Sequence, residues 1–464
     1  MVRARKVPPD LVGELEKAAG PASVTAEAGE LEAFASDESG AEPAPPDVVV
    51  RPADTDAVGR VLGVAHRLGV PVVPVGGLTG LAGGAVPRRG GIALSLERLD
   101  RIHPVDRDNL RVSAGAGTRT VDLQQAAAGA GLFYPPDPAA LERSTIGGNV
   151  ATNAGGPRCF KYGVTAEYVL ALEAVSAEGR VFRTGAATRK NATGLRLAQL
   201  LIGSEGTLAV VTEVTLRLVV PPRARAAATA SFDSVEAAGE AAAAIVRSGL
   251  VPSALELLDA TCLALLREQL EGVPLAEGAA LLLVEVDGPD EGRVGADLEH
   301  VSALLAGARE RELAKREEDV ELLWAARRAL SPAIARSTRD FVFQDVCVPI
   351  AAVPEALRRI GDIAERYALR IPVFSHAGDG NLHPSILYDA AAGDQAERAH
   401  AAERDVLRAA LELGGTISAE HGIGLLKLPF VREDLDSVAI DQMRAIKRAL
   451  DPHGILNPGK LLPS

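Results

Sequence analysis

The sequence predicts an α+β protein built from several domains. Strand-like and helical segments alternate as far as Pro221-Pro222, which is typical of a linker, and an alanine-rich region with apolar strands follows. The length of 464 residues agrees with this, since roughly three domains are expected at ~150 residues each. We therefore expect domains at residues 1–221, 222–413 and 414–464.

The first half begins with a β-α-β unit. β-prone runs at 47–51 and 70–74 flank an amphipathic helix predicted at 55–68, capped by Thr55 and ended by Gly69. A glycine-rich loop follows the second strand. A further helix is predicted at 121–131, and further strands are predicted at 91–95, 110–113, 166–177 and 209–219.

The second half mixes helices with apolar strands. Strands are predicted at 279–286 and 342–348, and the charged stretch at 309–318 is expected to be a solvated face. Helices are predicted at 235–248, 292–306, 354–367, 396–413 and 440–450.

Composition narrows the class of function. The net charge of -13 argues against nucleic acid and anionic membrane surfaces as partners, because both require basic patches. We find no signal-peptide pattern and no apolar run of the ~18 residues that a membrane span needs, so we expect a cytoplasmic protein. The cysteines, Cys159, Cys262 and Cys347, form no C-x-x-C pair, which excludes an all-cysteine iron–sulfur cluster within this chain.

The eight residues H-A-G-D-G-N-L-H at 376–383 point most directly to chemistry. Asp379-Gly380 predicts a two-residue type I′ turn, and that register places His383 opposite His376. Opposed residues share a face with Cβ atoms roughly 4.5–5.5 Å apart, so the two imidazoles could hold one metal ion. Glu420 would supply a third ligand. A structural zinc clip, or two surface histidines, is the alternative interpretation of the hairpin.

Two glycine-rich segments have the composition needed to bring backbone N–H groups to an anion. They span residues 74–84 and 145–156, and a third loop at 203–207 is expected to close the same pocket. Glycine removes the Cβ atom and permits positive φ, so successive N–H groups can converge on phosphate oxygens. Neither segment has a P-loop lysine or the G-x-G-x-x-G pattern of a Rossmann unit.

In order, these motifs resemble a known family. The glycine segments are similar to the FAD-binding domain of the vanillyl-alcohol oxidase (PCMH-type) superfamily. The whole chain resembles its branch of FAD-linked D-lactate dehydrogenases and glycolate oxidase catalytic subunits. The motifs that carry the resemblance are D-E-S at 37–39, Y-P-P-D-P at 134–138, K-Y-G-V at 161–164, G-S-E-G-T at 203–207, the histidine hairpin, G-G-T-I-S-A-E-H-G-I-G at 414–424 and N-P-G-K at 457–460.

The resemblance implies a fold and a set of cofactor residues. The fold is α+β, with a PCMH-type FAD-binding domain of two α/β subdomains, an antiparallel-sheet substrate (cap) domain and a C-terminal helical segment. Leu78 stands where covalently flavinylated members often carry histidine, so non-covalent FAD is expected, and Cys159 is taken as a buried thiol rather than a second covalent link. The residues implied to bind FAD are Gly76, Gly77, Leu78, Thr79, Gly80, Pro136, Thr145, Gly147, Gly148, Ala151, Thr152, Glu205, Gly206, Val211 and Asn457.

The resemblance also implies oxidation of a D-2-hydroxy acid to the 2-oxo acid. A divalent metal (zinc, manganese or iron) on His376, His383 and Glu420 would chelate the substrate carboxylate and hydroxyl. His421 would be the catalytic base, and hydride would pass to flavin N5.

Three further positions concern the substrate. Arg327, in W-A-A-R at 324–327, would bind the substrate carboxylate, and Asn381 would donate a hydrogen bond to the substrate. Phe343 stands where members specific for 2-hydroxyglutarate use lysine for the distal carboxylate. The lost charge argues against a diacid and for lactate, glycolate or a longer apolar 2-hydroxy acid.

Several alternatives stay open at this level. The chain could be an alkylglycerone-phosphate synthase-like transferase, a D-2-hydroxyglutarate dehydrogenase, or a non-catalytic FAD-binding subunit of a glycolate oxidase complex. The expected electron acceptor is a separate quinone, cytochrome, flavoprotein or iron–sulfur subunit, and dioxygen also stays open. Peripheral attachment to a membrane through that acceptor, and assembly as a homodimer, are also open.

Overall fold

A computed structural model describes residues 8–269 and 277–463 of the chain. It divides into two compact units. The first comprises Met1–Gly155, Val164–Pro221 and Glu420–Ser464, and the second comprises Gly156–Gly163 and Pro222–Ala419. The three-domain division expected at 221 and 413 stays a prediction.

The first unit contains two four-stranded sheets, ordered β1-β2-β4-β3 and β5-β8-β6-β7. Its strands are β1 (Val24–Thr25), β2 (Val48–Val50), β3 (Val72–Val75), β4 (Ile92–Ser95), β5 (Arg111–Gly115), β6 (Val169–Val175), β7 (Val181–Gly185) and β8 (Val210–Arg217). Its helices are α1 (Leu11–Ala19), α2 (Ala28–Ala33), α3 (Thr55–Leu68), α4 (Thr120–Gly129), α5 (Ile146–Thr152), α7 (Leu197–Leu201), α15 (Val431–Asp434) and α16 (Ser437–Leu450).

The predicted β-α-β unit forms, with two differences. Strands β2 and β3 both pair in parallel with β4, so β4 lies between them. The cap of α3 is Asp54, whose carboxylate accepts the N–H of Ala57, rather than Thr55. Val58, Val61 and Leu62 on one stripe of α3 are fully buried, as expected for a helix that covers a sheet.

The second unit contains one antiparallel sheet in the order β12-β9-β11-β10-β15-β16-β13, with β14 also paired to β16. Its strands are β9 (Ala224–Phe232), β10 (Ala254–Asp259), β11 (Ala280–Gly288), β12 (Glu310–Ala314), β13 (Asp340–Phe343), β14 (Val346–Cys347), β15 (Val373–His376) and β16 (Asn381–Tyr388). Its helices are α6 (Cys159–Tyr162), α8 (Val235–Arg247), α9 (Ala260–Gln269), α10 (Glu291–Leu304), α11 (Glu317–Arg328), α12 (Leu330–Ser337), α13 (Val353–Tyr367) and α14 (Gln395–Glu412).

This sheet contains strands that the sequence did not reveal. β9 and β10 were not predicted, because β9 is rich in alanine and β10 carries a glutamate, Glu256, among leucines. The stretch at 309–318 is exposed as expected except at the buried Ala314, but it includes edge strand β12. The strand predicted at 342–348 is interrupted at Gln344 and Asp345, which separate β13 from β14.

The register predicted for the histidine hairpin is wrong by two residues. β15 and β16 pair His376 with Asn381 and Phe374 with His383, so residues 377–380 form a four-residue turn. Gly380 has φ 86°, and a Cβ atom there would lie 2.0 Å from the carbonyl oxygen of Val348, so glycine is required. Asp379 lacks the positive φ that a type I′ turn demands of both central residues. Because the shift is even, both imidazoles still project from one face.

No helix within the described residues is long and apolar enough to span a bilayer.

Candidate functional site

In the first unit, the two long glycine segments lie against each other. A Cβ atom at Gly77 would lie 2.1 Å from the carbonyl oxygen of Arg143, and one at Gly76 would lie 2.5 Å from Thr145 Oγ1. Thr145 caps α5 by accepting the N–H of Gly148. The loop after β3 therefore approaches the start of α5 more closely than any side chain would allow.

The third loop and the segment around Asn457 are hydrogen-bonded to the same part of the first unit. The N–H of Glu205 donates to the carbonyl of Ala151 in α5 at 2.8 Å. Asn457 donates from its side-chain amide to the carbonyl of Glu205 at 2.7 Å and from its main chain to that of Val72 at 2.7 Å. Segments predicted separately along the chain therefore converge in one unit.

Three of the predicted cofactor residues that carry a side chain have left-handed backbone. Leu78 has φ 56°, Glu205 has φ 51° and Asn457 has φ 40°. Such conformations cost on the order of 1–3 kcal/mol each for residues with a side chain, and they persist where the surroundings fix them, often at ligand sites. Their grouping around the glycine loops indicates a binding site.

Two predicted cofactor residues are less directly connected to this cluster. Pro136 is buried, and its carbonyl accepts a hydrogen bond from the Gln124 amide at 2.9 Å. Val211 is half-buried in β8 and packs against the core beside the second sheet. Gly80, Thr79, Gly147, Thr152 and Gly206 are half-buried on the converging segments.

The carboxylate of Glu205 holds the loop that carries Glu420 and His421. It accepts the N–H of Ile423 at 2.7 Å and that of Gly424 at 2.9 Å. Burial raises the pKa of Glu205, against the opposing effect of these two N–H groups. His421 Nε2 lies 3.8 Å from Glu420 Oε1, and both side chains are mostly buried. The predicted base is therefore anchored to the glycine-loop cluster through Glu205.

Lys460 is buried in the same cluster. Its ammonium donates to the carbonyl of Gly84 and to Asn457 Oδ1, both at 2.8 Å. Burial lowers the pKa of Lys460 to about 7, although the charges of Asp37 and Glu205 oppose that shift.

In the second unit, His376 and His383 form a buried pair of imidazoles. Their exposed fractions are 6% and 2%, and their ring centroids are 5.1 Å apart in an edge-to-face arrangement. The sheet supplies this placement, since His376 ends β15 and His383 lies in β16.

A fully buried glutamate, Glu256 of β10, binds one of these imidazoles and the predicted substrate arginine. Glu256 Oε1 accepts the Nδ1–H of His376 at 2.6 Å, and Oε2 accepts the Nε–H of Arg327 at 2.8 Å. Burial alone would raise the pKa of Glu256, but the charges of His376 and Arg327 outweigh it and hold that pKa below its usual value.

Aromatic rings enclose the other imidazole. Phe343 stacks on His383 with centroids 5.6 Å apart and planes 5° apart, and Phe374 lies at 4.9 Å. The guanidinium of Arg327 lies 4.5 Å from the Phe374 ring centroid. The side chains around the histidine pair are thus fixed by packing as well as by hydrogen bonds.

Asn381 is hydrogen-bonded to the buried carboxylate of Asp345. Its amide nitrogen donates to Asp345 Oδ1 at 2.8 Å and to the carbonyl of Val346 at 3.1 Å. Asp345 also accepts from the Ser418 hydroxyl and the Ala419 N–H, and its Oδ1 lies 3.9 Å from His383 Nδ1. The direct contact between Asn381 and substrate stays a prediction.

Sequence reasoning missed Glu256, Asp345 and Phe374. A glutamate within the apolar run A-L-E-L-L-D at 254–259 was the available signal for the first, since an isolated charge in a buried strand needs a partner. Asp345 and Phe374 carry no comparable signal, because their importance depends on the sheet register.

Family models match both units. A model described as "FAD binding domain" matches residues 46–185, and one described as "FAD linked oxidases, C-terminal domain" matches residues 221–461.

Curated relatives cover nearly the whole chain. The glycolate oxidase subunit GlcD of Bacillus subtilis (strain 168) is 39% identical over 419 residues, which is 90% of this chain and 89% of that protein. The D-lactate dehydrogenase of Archaeoglobus fulgidus is 38% identical over 418 residues, which is 89% of this chain and 91% of that protein.

Solved structures show the same fold at low identity, and the relationships above supply the family. p-Cresol methylhydroxylase has a TM-score of 0.81 at 16% identity, covering 98% of this chain and 96% of its own. Alkyldihydroxyacetonephosphate synthase has a TM-score of 0.76 at 20% identity, covering 99% and 87%. The chain therefore belongs to the FAD-linked oxidase family, has a PCMH-type FAD-binding domain, and is an FAD-linked oxidoreductase.

Proposed function

We propose that this enzyme oxidises a D-2-hydroxy monoacid of the lactate or glycolate kind to the corresponding 2-oxo acid. The observation that carries the proposal is the buried pair His376 and His383, of which His376 is joined through Glu256 to Arg327, in a chain of this family. Relatives bear the names glycolate oxidase subunit and D-lactate dehydrogenase, which supports the choice of substrate class.

The glycine-loop cluster fits non-covalent FAD. The glycines of these segments leave main-chain N–H groups uncovered by side chains, so such groups could converge on the pyrophosphate. In this proposal, FAD is held by residues 76–80 and 145–152 together with Glu205, Gly206 and Asn457. When bound, FAD supplies the acceptor for the hydride that leaves the substrate Cα. Because residue 78 is leucine, we expect acid precipitation to release all of the flavin into the supernatant.

The imidazole pair fits a divalent metal. His376 donates its Nδ1–H to the carboxylate of Glu256, so Nε2 is the ring nitrogen that would bind a metal, as is usual for ligating histidines. We propose His376, His383 and Glu420 as the ligands of zinc, manganese or iron. When bound, such an ion supplies a Lewis acid that lowers the pKa of the substrate hydroxyl.

The protein side chains bind and deprotonate the substrate. Arg327 engages Glu256 through Nε, so its two Nη groups can pair with the substrate carboxylate. His421 accepts the hydroxyl proton on a ring nitrogen, and Phe343 and Phe374 exclude water from the imidazole pair.

The Phe343 ring would form an apolar wall of the substrate site, and this wall favours a substrate without a distal charge. The ring stacks on His383, and a carboxylate placed against it would be desolvated without a partner. Lactate, glycolate and longer apolar 2-hydroxy acids fit this wall better than 2-hydroxyglutarate does.

Electrons leave to a separate acceptor in this proposal. A quinone, a cytochrome, a flavoprotein or an iron–sulfur subunit would each serve, and the glycolate oxidase relative is itself named as a subunit. We retain a cytoplasmic location, with attachment to a membrane only through such an acceptor, as part of the proposal.

The deciding experiment is anaerobic mixing of metal-replete enzyme with D-lactate, L-lactate, glycolate and D-2-hydroxyglutarate in turn, followed by flavin absorbance. We expect fast bleaching by a D-monoacid or glycolate, and loss of bleaching in His421→Ala. Bleaching only by the diacid would contradict the role given to Phe343. No bleaching by any acid, with FAD bound, would favour a transferase that uses flavin without net oxidation.

A further inference from the structure

We propose that Glu256 is a positioning residue that orients the metal ligand His376 and the substrate anchor Arg327 together. The inference rests on the proposed function, because it takes the roles of His376 and Arg327 from it. One buried carboxylate would thereby orient both the imidazole that binds the metal and the guanidinium that binds the substrate carboxylate.

The sheet itself brings Glu256 to His376. β10 and β15 are neighbours, and their register places Glu256 directly opposite His376, so the two side chains project from one face. Glu256 has 0% exposure, and its Oε1 lies 2.6 Å from Nδ1. An ionised carboxylate can only accept hydrogen bonds, so Nδ1 carries the proton, and Nε2 is then the ring nitrogen that would bind the metal.

The second oxygen of Glu256 fixes the arginine. Oε2 accepts Nε–H of Arg327 at 2.8 Å, while the guanidinium lies over the ring of Phe374. A planar group held at one edge by a carboxylate and on one face by an aromatic ring keeps a single orientation. Each carboxylate oxygen of Glu256 therefore accepts a hydrogen bond from a different one of these two side chains.

The neighbouring strand supplies a matched control. Glu285 of β11 is also buried, at 2% exposure, and it accepts Trp324 Nε1–H at 2.7 Å and the Ser253 hydroxyl at 2.8 Å. Trp324 and Arg327 both belong to α11. Glu285 thus binds the same helix from the same sheet, but its hydrogen bonds reach neither imidazole of the pair.

The test measures zinc affinity directly. The full-length, FAD-loaded protein is stripped of metal and titrated with Zn²⁺ in competition with a chromophoric chelator, as wild type, Glu256→Gln and Glu285→Gln. Glutamine keeps the shape but replaces one accepting oxygen with a donor. We expect Glu256→Gln to weaken zinc binding roughly 10–100-fold, the usual effect of losing such a partner. Glu285→Gln should stay within about threefold of wild type, since no zinc ligand loses its partner.

Substrate affinity provides a second readout. The apparent Kd of the hydroxy acid, from flavin bleaching at saturating zinc, should rise in Glu256→Gln and in Arg327→Met but not in Glu285→Gln. Zinc affinity in Arg327→Met should stay near wild type, because the bond between Glu256 and His376 is retained. Glu256→Asp keeps the charge on a shorter stem, and we expect its zinc affinity to fall between wild type and Glu256→Gln. It serves as the test variant if Glu256→Gln does not fold.

The outcomes separate this inference from the proposed function. Unchanged zinc affinity in Glu256→Gln, or equal weakening in Glu256→Gln and Glu285→Gln, would overturn the inference and leave the metal site standing. If the wild type binds zinc no better than His376→Ala, the metal assignment fails, and the inference fails with it.

Discussion

The ring of Phe343 lies parallel to the imidazole of His383, and its neighbour on the same strand, Phe341, is 40% exposed. Because side chains alternate along a strand, residues 341 and 343 lie on the same face of β13. Phe343 contacts His383 there, whereas Phe341 is exposed. The same substitution at these positions therefore tests the contact with His383 against a plain surface change.

We expect Phe343→Lys to improve the use of D-2-hydroxyglutarate relative to D-lactate by at least about tenfold, since an ammonium can pair with the distal carboxylate. The measurement is the ratio of bleaching rate constants for the two acids at subsaturating concentration. Phe341→Lys should leave the ratio unchanged. An unchanged ratio in Phe343→Lys would remove this residue from the specificity argument.

Lys460 makes stability depend on pH. In the unfolded chain its ammonium keeps its proton to about pH 10, whereas burial lowers its pKa in the fold to about 7. Between these values the unfolded chain binds more protons, so the unfolding free energy rises with pH by up to about 1.4 kcal/mol per pH unit. Below pH 7 the buried charge imposes its full cost.

We therefore expect Lys460→Met to flatten this rise in FAD-free protein. Urea unfolding at pH 7, 8 and 9 measures the slope for wild type, Lys460→Met and Lys17→Met, whose lysine side chain is 78% exposed. Equal slopes in all three proteins would show that Lys460 does not carry the dependence.

At this scale the sequence revealed the residues of the motifs but not their partners. His376, His383 and Glu205 could be proposed as site residues because they stand in recognisable runs, and their roles stay predictions. Glu256 could not, because its role exists only once β10 lies beside β15, and the strand itself was not predicted.

At the scale of secondary-structure elements, the conformation of the loop between β3 and β4 depends on its close approach to the segment that precedes α5. A Cβ atom at Gly77 would meet backbone oxygen at 2.1 Å, and backbone cannot rotate aside as a side chain can. Separation of the two segments would widen the proposed FAD site.

Gly77→Ala should therefore weaken FAD binding at least about tenfold, measured by fluorescence titration of the apoprotein. Gly13→Ala in α1 is the control, because a Cβ there meets nothing within 4 Å. That change should leave FAD affinity intact and stabilise the helix by roughly 0.5–1 kcal/mol. Normal FAD affinity in Gly77→Ala would place the cofactor away from this loop.

Elements with strong periodicity were predicted to within a few residues, as α3 and α13 illustrate. The failures have physical causes. The alanines of β9 have low strand propensity, and their burial in the sheet overrides it. The hairpin register failed because the Asp-Gly pair ends a four-residue turn, in which the carbonyl of Gly380 accepts the N–H of Val348.

For the molecule as a whole, the ordered motifs were sufficient to predict the family and the α+β class. The structure was needed to place the predicted FAD residues in the first unit and the pair His376 and His383 in the second, whereas the third proposed ligand, Glu420, lies in the first. Because FAD and the proposed metal would be held by different side chains, we expect that they can be removed separately.

A chelator should accordingly strip the metal and abolish flavin bleaching by the hydroxy acid, while bound FAD stays near one equivalent. Added zinc or manganese should restore bleaching. Metal content and flavin absorbance after gel filtration check both statements. Loss of FAD together with the metal would contradict the separate assignment.

Strand β3 lies at the end of its sheet, and Val72 exchanges main-chain hydrogen bonds with Ile455 and Asn457. A nascent chain emerging from the ribosome therefore presents β3 as an open edge until residue 457 has been translated. We expect ribosome stalling before that point to leave an edge prone to pair with other strands. We also expect FAD to bind only after the segment around residue 457 has been synthesised and has covered that edge.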